Sequence, residues 1–211
     1  MSEMHQCADE ALDTSGVTGA IDAMGHSMGG LVVLAYALER PERIRRLVLV
    51  GTGSGGPAYM NAPGALWNCS HPAFWGMALL AILHIVWLRL APERMLNNFI
   101  VRHSFCVRSL AEPEKVGLGD WLSPRHGRTD WHQKVARNLD YSARLREIQV
   151  PTLVLCGSHD PQYPPACSEE LAAGIRDAQT VWFEHSGHYP FIEKAEPFWR
   201  TVADFLVAQK A

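Results

Sequence analysis

The chain has 211 residues, 47% of them apolar, and a formal charge of −3 from 19 Lys and Arg against 22 Asp and Glu. That size and apolar content can bury a sizeable core, which excludes disorder and predicts one globular domain carrying an inserted segment. The balanced charge offers no basic field to gather phosphates, and no Lys/Arg run interleaves with aromatics, so nucleic acid is not an expected partner.

In chain order, residues 1–10, MSEMHQCADE, contain neither a basic n-region nor an apolar h-region, so no secretory signal is read there. Cys7, Cys69, Cys106, Cys156 and Cys167 lack CxxC spacing, which fits reduced thiols and a cytoplasmic setting. Met4 to Leu12 suits a short helix closed by Gly16 and Gly19, and a strand follows near Ala20 to Met24. After the turn AMGHSMGG, the run Leu31 to Leu38 reads as a buried helix that stops at Arg40, because a residue before proline is pushed out of the helical region. Arg46 to Val50, RLVLV, has the form of a parallel strand covered on both faces. The glycines of Gly51 to Pro57 lack a GK[ST] ending and read as a hinge or crowded turn rather than a phosphate loop.

From 58 to 147 tryptophans, histidines and arginines accumulate and helical patterns replace strand patterns, as in an inserted helical lid. Its run Ala73 to Leu88 is almost wholly apolar but shorter than the roughly 17–25 residues of a typical membrane span; it holds His84, and Arg89 follows at once. The reading is a helix packed over an apolar pocket, with a membrane partner not expected. Pro92 opens a second helical pattern, PERMLNNFIVRHSF, and Thr129 can cap a third with Trp131, Val135 and Leu139 on one face. Strand chemistry returns at Val150 to Cys156 and Gln179 to Phe183, around a helix near Ser168 to Ala173. A last helix, Pro197 to Ala208, carries the stripe Phe198, Val202, Phe205 and Leu206. The whole is an α/β parallel sheet of about four strands, with parts 1–57, 58–147 and 148–211.

The turn at Ser27 is the chemical centre of this pattern. A nucleophile presented from a sharp strand-to-helix turn needs small neighbours, and Gly25 and Gly29 frame Ser27 as G-x-S-x-G, with the N–H of Met28 facing any developing oxyanion. Asp160 lies in LVLCGSHDPQYPP and His188 in VWFEHSGHYPF, each just beyond a strand. Parallel sheets gather reactive groups at the carboxyl ends of their strands, so Ser, Asp and His reach one edge in that order. A zinc site from His159, Asp160, His185 and His188 has no recognised spacing. His26 reads as a buried, hydrogen-bonded or pocket-lining histidine, and Asp120, Asp130 and Asp140 as caps or solvated residues.

The segments GHSMGG, RLVLVG, IQVPTLVLCGSHD and SGHYPFIEKAEPFW together resemble the α/β-hydrolase superfamily, in its esterase-like branch with a helical cap. The resemblance implies Ser27, Asp160 and His188 as the triad, prefers His188 to His185 because the base follows S-G, and implies no cofactor or metal. The expected function is a serine hydrolase that cleaves a small carboxylic ester or related acyl substrate through an acyl-enzyme. Family members carry several strands before the elbow, and a loop among them supplies a second oxyanion donor; with 26 residues ahead of Ser27, that loop is expected to be missing. One lost donor costs about 10²–10³ in kcat, so slow turnover is expected unless a lid group substitutes, and the alternative is a non-catalytic binding module. The elbow strand would then be an unpaired edge, an invitation to homodimerisation. Trp67, Trp75, Trp87 and Trp121 suggest a hydrophobic acyl or aromatic substrate moiety.

Overall fold

The computed structural model describes residues 2–56, 59, 62, 64–66, 68–86, 102–104 and 139–208. Four short runs form one parallel sheet: β1 (Ile21–His26), β2 (Ile44–Val50), β3 (Thr152–Gly157) and β4 (Ala178–Phe183), in the spatial order β1-β2-β3-β4. His26 lies opposite Val50, Val50 opposite Leu155, and Gly157 opposite Phe183, so the strands finish along one edge.

Alternation along the strands sorts the core into two layers. Ala23, Leu47, Leu49 and Val154 face one cluster, built with α2 (Met28–Glu39) and with Leu145, Leu171 and Ile175. Val48, Val50, Leu153, Leu155 and Phe183 face the other, where α6 (Ala195–Val207) contributes Phe198, Val202 and Phe205. The predicted apolar stripe is therefore the buried face of that last helix, with Leu206 at its margin. Further helices among the described residues include α1 (Ser2–Thr14), α3 (Pro72–Val86), α4 (Pro165–Gly174) and the single turn α5 (Pro190–Glu193).

Local chemistry sets the boundaries. The N–H of Arg40 reaches the carbonyl of Tyr36 to close α2, and Pro41 opens a 3₁₀ turn through Arg43. The amino-terminal helix docks through Asp9, which accepts the Tyr36 hydroxyl at 2.6 Å and Arg40 Nε at 3.0 Å. Those bonds hold the Asp9 carboxyl below the usual carboxylate range.

Residues 51–151 lie between the paired strands β2 and β3. Most of the helical insertion expected at 58–147 lies outside the described residues, including Trp67, Trp87, Trp121, Asp120, Asp130, Thr129 and nearly all of the second helical pattern; Ser104 of that pattern is helical and buried. The apolar run at 73–88 is helical as α3 through Val86, yet Trp75, Leu79 and Ile82 on one face are 67%, 57% and 54% exposed. These three side chains mark the outward face: a helix apolar on every side carries no periodicity to reveal which side turns outward. Among the described residues no helix is long and apolar enough to cross a membrane. Asp140 accepts both the backbone N–H and the hydroxyl of Ser142, the cap-like role expected of it.

Candidate active site

Ser27 joins β1 to α2 with φ 56 and ψ −125, a backbone conformation rare for a residue with a side chain. Such strain costs on the order of 1–3 kcal/mol and persists only where the surroundings fix it. Here they do: Ser27 N–H donates to Val50 O at 3.0 Å, and Thr52 Oγ1 donates to Ser27 O at 2.7 Å. Serine before a helix ordinarily caps it, but Ser27 makes no side-chain cap hydrogen bond, so its hydroxyl is not committed to the helix. Met28 is the first residue of α2, and its N–H has no acceptor within the helix.

The sequence expects Gly25 and Gly29 to relieve crowding at this turn. A Cβ on Gly25 would meet Gly29 O at 2.3 Å and Val33 Cγ2 at 2.6 Å, so Gly25 is sterically required. A Cβ on Gly29 would meet nothing within 4 Å; the second crowded glycine is Gly30, whose Cβ would strike Thr52 at 2.5 Å. Gly29 matters through its backbone, which occupies the space a Cβ on Gly25 would need.

Beyond β3, Asp160 is 2% exposed and held at both oxygens. Oδ1 accepts the N–H groups of Gln162 at 2.8 Å and Tyr163 at 2.9 Å, and Oδ2 receives His188 Nδ1 at 2.8 Å. His188 lies beyond β4 and is 1% exposed. A neutral imidazole that donates its Nδ1–H to a carboxylate carries its lone pair on Nε2. Tyr163 stacks parallel to the imidazole at 6.0 Å between centroids, Tyr189 meets it edge-on at 5.1 Å, and the His188 N–H donates to Ser104 O at 2.7 Å.

Gly51 brings these parts together. It ends β2 with φ +47, and a Cβ built there would lie 3.0 Å from Asp160 Oδ2 and 3.3 Å from His188 Nδ1. Its two chain neighbours, Val50 and Thr52, are the residues that grip the Ser27 main chain. The elbow and the Asp–His pair are thus seated on one tripeptide. His26, beside Ser27, closes the arrangement: its Nε2 donates to the His188 carbonyl at 2.8 Å, and the two rings lie 4.5 Å apart. Burial, aided by the nearby His188, pushes the His26 imidazole down to about 3, so it is neutral.

His185, the less favoured alternative, is exposed and stacks on exposed His159 at 5.8 Å, whereas His188 is the histidine that engages the Asp160 carboxylate. Among the described residues no group of three or more His, Cys, Asp or Glu is placed to hold a metal ion. Sequence reasoning missed Gly51, Tyr163, Gln162 and Ser104 as parts of the site. Gly51 carried a signal, a glycine immediately after a continuous apolar strand; the others carried none.

The family model described as alpha/beta hydrolase fold matches residues 1–195. A 2-hydroxy-6-oxononadienedioate/2-hydroxy-6-oxononatrienedioate hydrolase of Cupriavidus pinatubonensis is 34% identical over 191 residues, 88% of this chain and 62% of its own length. A hydrolase of the same name from Paraburkholderia xenovorans is 32% identical, covering 92% of this chain and 68% of that protein. The chain thus spans roughly two thirds of the length of these relatives. Among solved structures, an alpha/beta fold family hydrolase from Bacillus anthracis superposes with a TM-score of 0.79 at 23% identity, over 97% of this chain and 73% of that one.

Proposed function

The chain belongs to the alpha/beta hydrolase fold family, and from that premise we propose that it is a serine hydrolase acting on a carboxylic ester or related acyl compound through Ser27, His188 and Asp160. The observation that carries the reading is the buried Asp160–His188 pair at 2.8 Å, seated against Gly51 between the two residues that hold the strained Ser27.

In this reading His188 Nε2 takes the Ser27 proton as Oγ adds to the substrate carbonyl carbon. Asp160 keeps Nδ1 protonated and stabilises the imidazolium that forms. The Met28 N–H donates to the oxyanion, helped by the amino-terminal end of α2. Collapse of the tetrahedral adduct, with the His188 proton passing to the leaving group, gives an acyl-enzyme, and water activated by the same imidazole releases the acid. Addition of a serine oxygen to a carbonyl carbon also suits an oxo substrate of the kind for which the curated relatives are named. A cap over residues 58–147 would contribute the acyl pocket. Exposed Trp75 is not part of its buried lining.

The test is a fluorophosphonate probe followed by peptide mapping, together with p-nitrophenyl ester turnover. Modification at Ser27, abolished in Ser27→Ala along with turnover, is the expected result. Folded protein that remains unlabelled would overturn the reading in favour of a binding module, and parental turnover by Ser27→Ala would remove Ser27 from the mechanism.

A further inference from the structure

His26 is left unused by the mechanism, yet its side chain ties the two halves of the site together directly. It ends β1 and precedes the serine; its partner carbonyl belongs to His188, 162 residues away in the chain. We infer that His26 is a positioning residue of the hydrolase, a clamp whose Nε2–H holds the main chain of the His188 loop at a fixed distance from the Ser27 elbow. The inference rests on the serine-hydrolase reading above.

Three features give the clamp its stiffness. The bond is 2.8 Å long, and its acceptor is the carbonyl of the base itself, so a shift at His26 passes to the imidazole through one residue. The His26 ring is also wedged on its other sides, 4.9 Å from Phe191 edge-on and 5.6 Å from Tyr189. Finally, the ring stays neutral, which fixes one proton between its two nitrogens; bonding to a carbonyl places it on Nε2 and leaves Nδ1 as the acceptor. A protonated His26 4.5 Å from His188 would oppose formation of the imidazolium that catalysis needs, so neutrality serves the base as well.

Asp160 already sets the orientation of the imidazole from its Nδ1 side. What Asp160 does not set is the reach of the base toward β1, since Asp160 and His188 both lie on loops from the other half of the chain. Small errors in that reach are costly: a misplacement of about 1 Å in a catalytic group can reduce rate about 10²-fold. The clamp therefore acts on kcat, through proton transfer, and not on substrate affinity.

The experiment compares His26→Gln and His26→Leu in the 211-residue chain with the parent and with Ser27→Ala, by p-nitrophenyl ester kinetics, thermal melting and NMR of the His188 Nδ1 proton. Glutamine can place an amide N–H near the position of Nε2; leucine cannot. The expected result is a kcat about 10- to 100-fold lower in His26→Leu with KM within threefold, recovery in His26→Gln to within threefold of the parent, and a His188 Nδ1 proton signal broadened in the leucine variant alone. Equal kcat in the leucine variant and the parent overturns the clamp while leaving Ser27 in place. So does an equal loss in the glutamine variant, provided it melts as the parent does. If the leucine variant fails to fold, the glutamine comparison and its proton signal decide alone. A parent that is inactive and unlabelled at Ser27 refutes the underlying reading instead.

Discussion

A single methyl at Gly51 separates backbone strain from damage to the site. Gly51→Ala places a Cβ 3.0 Å from Asp160 Oδ2 and 3.3 Å from His188 Nδ1, the two atoms joined by the 2.8 Å hydrogen bond. It also forces alanine to φ +47, where a side chain costs about 1–2 kcal/mol. Gly16 supplies the control, because it has φ +73 and a Cβ there would meet nothing within 4 Å. Both variants carry the backbone cost, which for a chain of this size lowers the melting temperature by about 2–8 °C. In Gly51→Ala alone, the methyl must push Asp160 or His188 by a few tenths of an ångström. The expected outcome in ester turnover is a kcat at least about tenfold lower in Gly51→Ala, with Gly16→Ala within twofold of the parent. If both variants melt early and both keep parental kcat, the Asp160–His188 pair is not what limits turnover, and the reasoning fails.

Three further outcomes follow from buried groups. His26 binds no proton in the folded protein until about pH 3 but accepts one near 6.5 when unfolded, so its contribution to stability is full above 6.5 and lost as pH falls toward 3. Between pH 8 and 5 that loss is about 2 kcal/mol, and urea midpoints of the parent should drop more than those of His26→Gln; parallel curves would refute it. Burial raises the Cys156 and Cys167 thiols to about 12, whereas Cys69 is exposed. Iodoacetamide at pH 8 should therefore modify the Cys69 peptide and spare the other two until denaturant is added; early modification of Cys156 would contradict the burial. Truncating Phe198, fully buried beneath β2 and β3, should cost about 3–5 kcal/mol by urea unfolding, and a loss under 1 kcal/mol would mean that this layer repacks.

The strands were legible because parallel strands covered on both faces are written as short apolar runs, and LVLV at 47–50 and TLVLC at 152–156 are that. The meeting of Asp160 and His188 at one edge could be read ahead because each follows a strand of a parallel sheet. Steric roles at the turn could not. Gly29 and Gly30 look alike in sequence, but only Gly30 sits where its Cβ would enter Thr52, and Thr52 belongs to a loop whose path depends on β2. Exposure of Trp75 was equally hidden, since a helix apolar on all sides carries no outward mark.

The arrangement also explains why glycine follows β2 so closely. Two constraints converge there: the chain must bend into the left-handed region to leave the sheet, and the space beside that bend is filled by an imidazole and a carboxylate in contact. Either constraint alone would favour glycine. Together they make Gly51 the floor beneath the His188 imidazole, while Val50 and Thr52 on either side hold the Ser27 main chain. Displacing this tripeptide would therefore move Ser27 and His188 at once, whereas His26 joins the two sides through a bond of its own. Substitutions at Thr52 and His26 are accordingly expected to compound: Thr52→Val loses the hydroxyl that holds Ser27 O, and the double variant with His26→Leu should lose more kcat than the product of the single losses, since each single variant keeps the other tether. Strictly multiplicative losses in that double-mutant cycle would show two independent contacts and no shared frame.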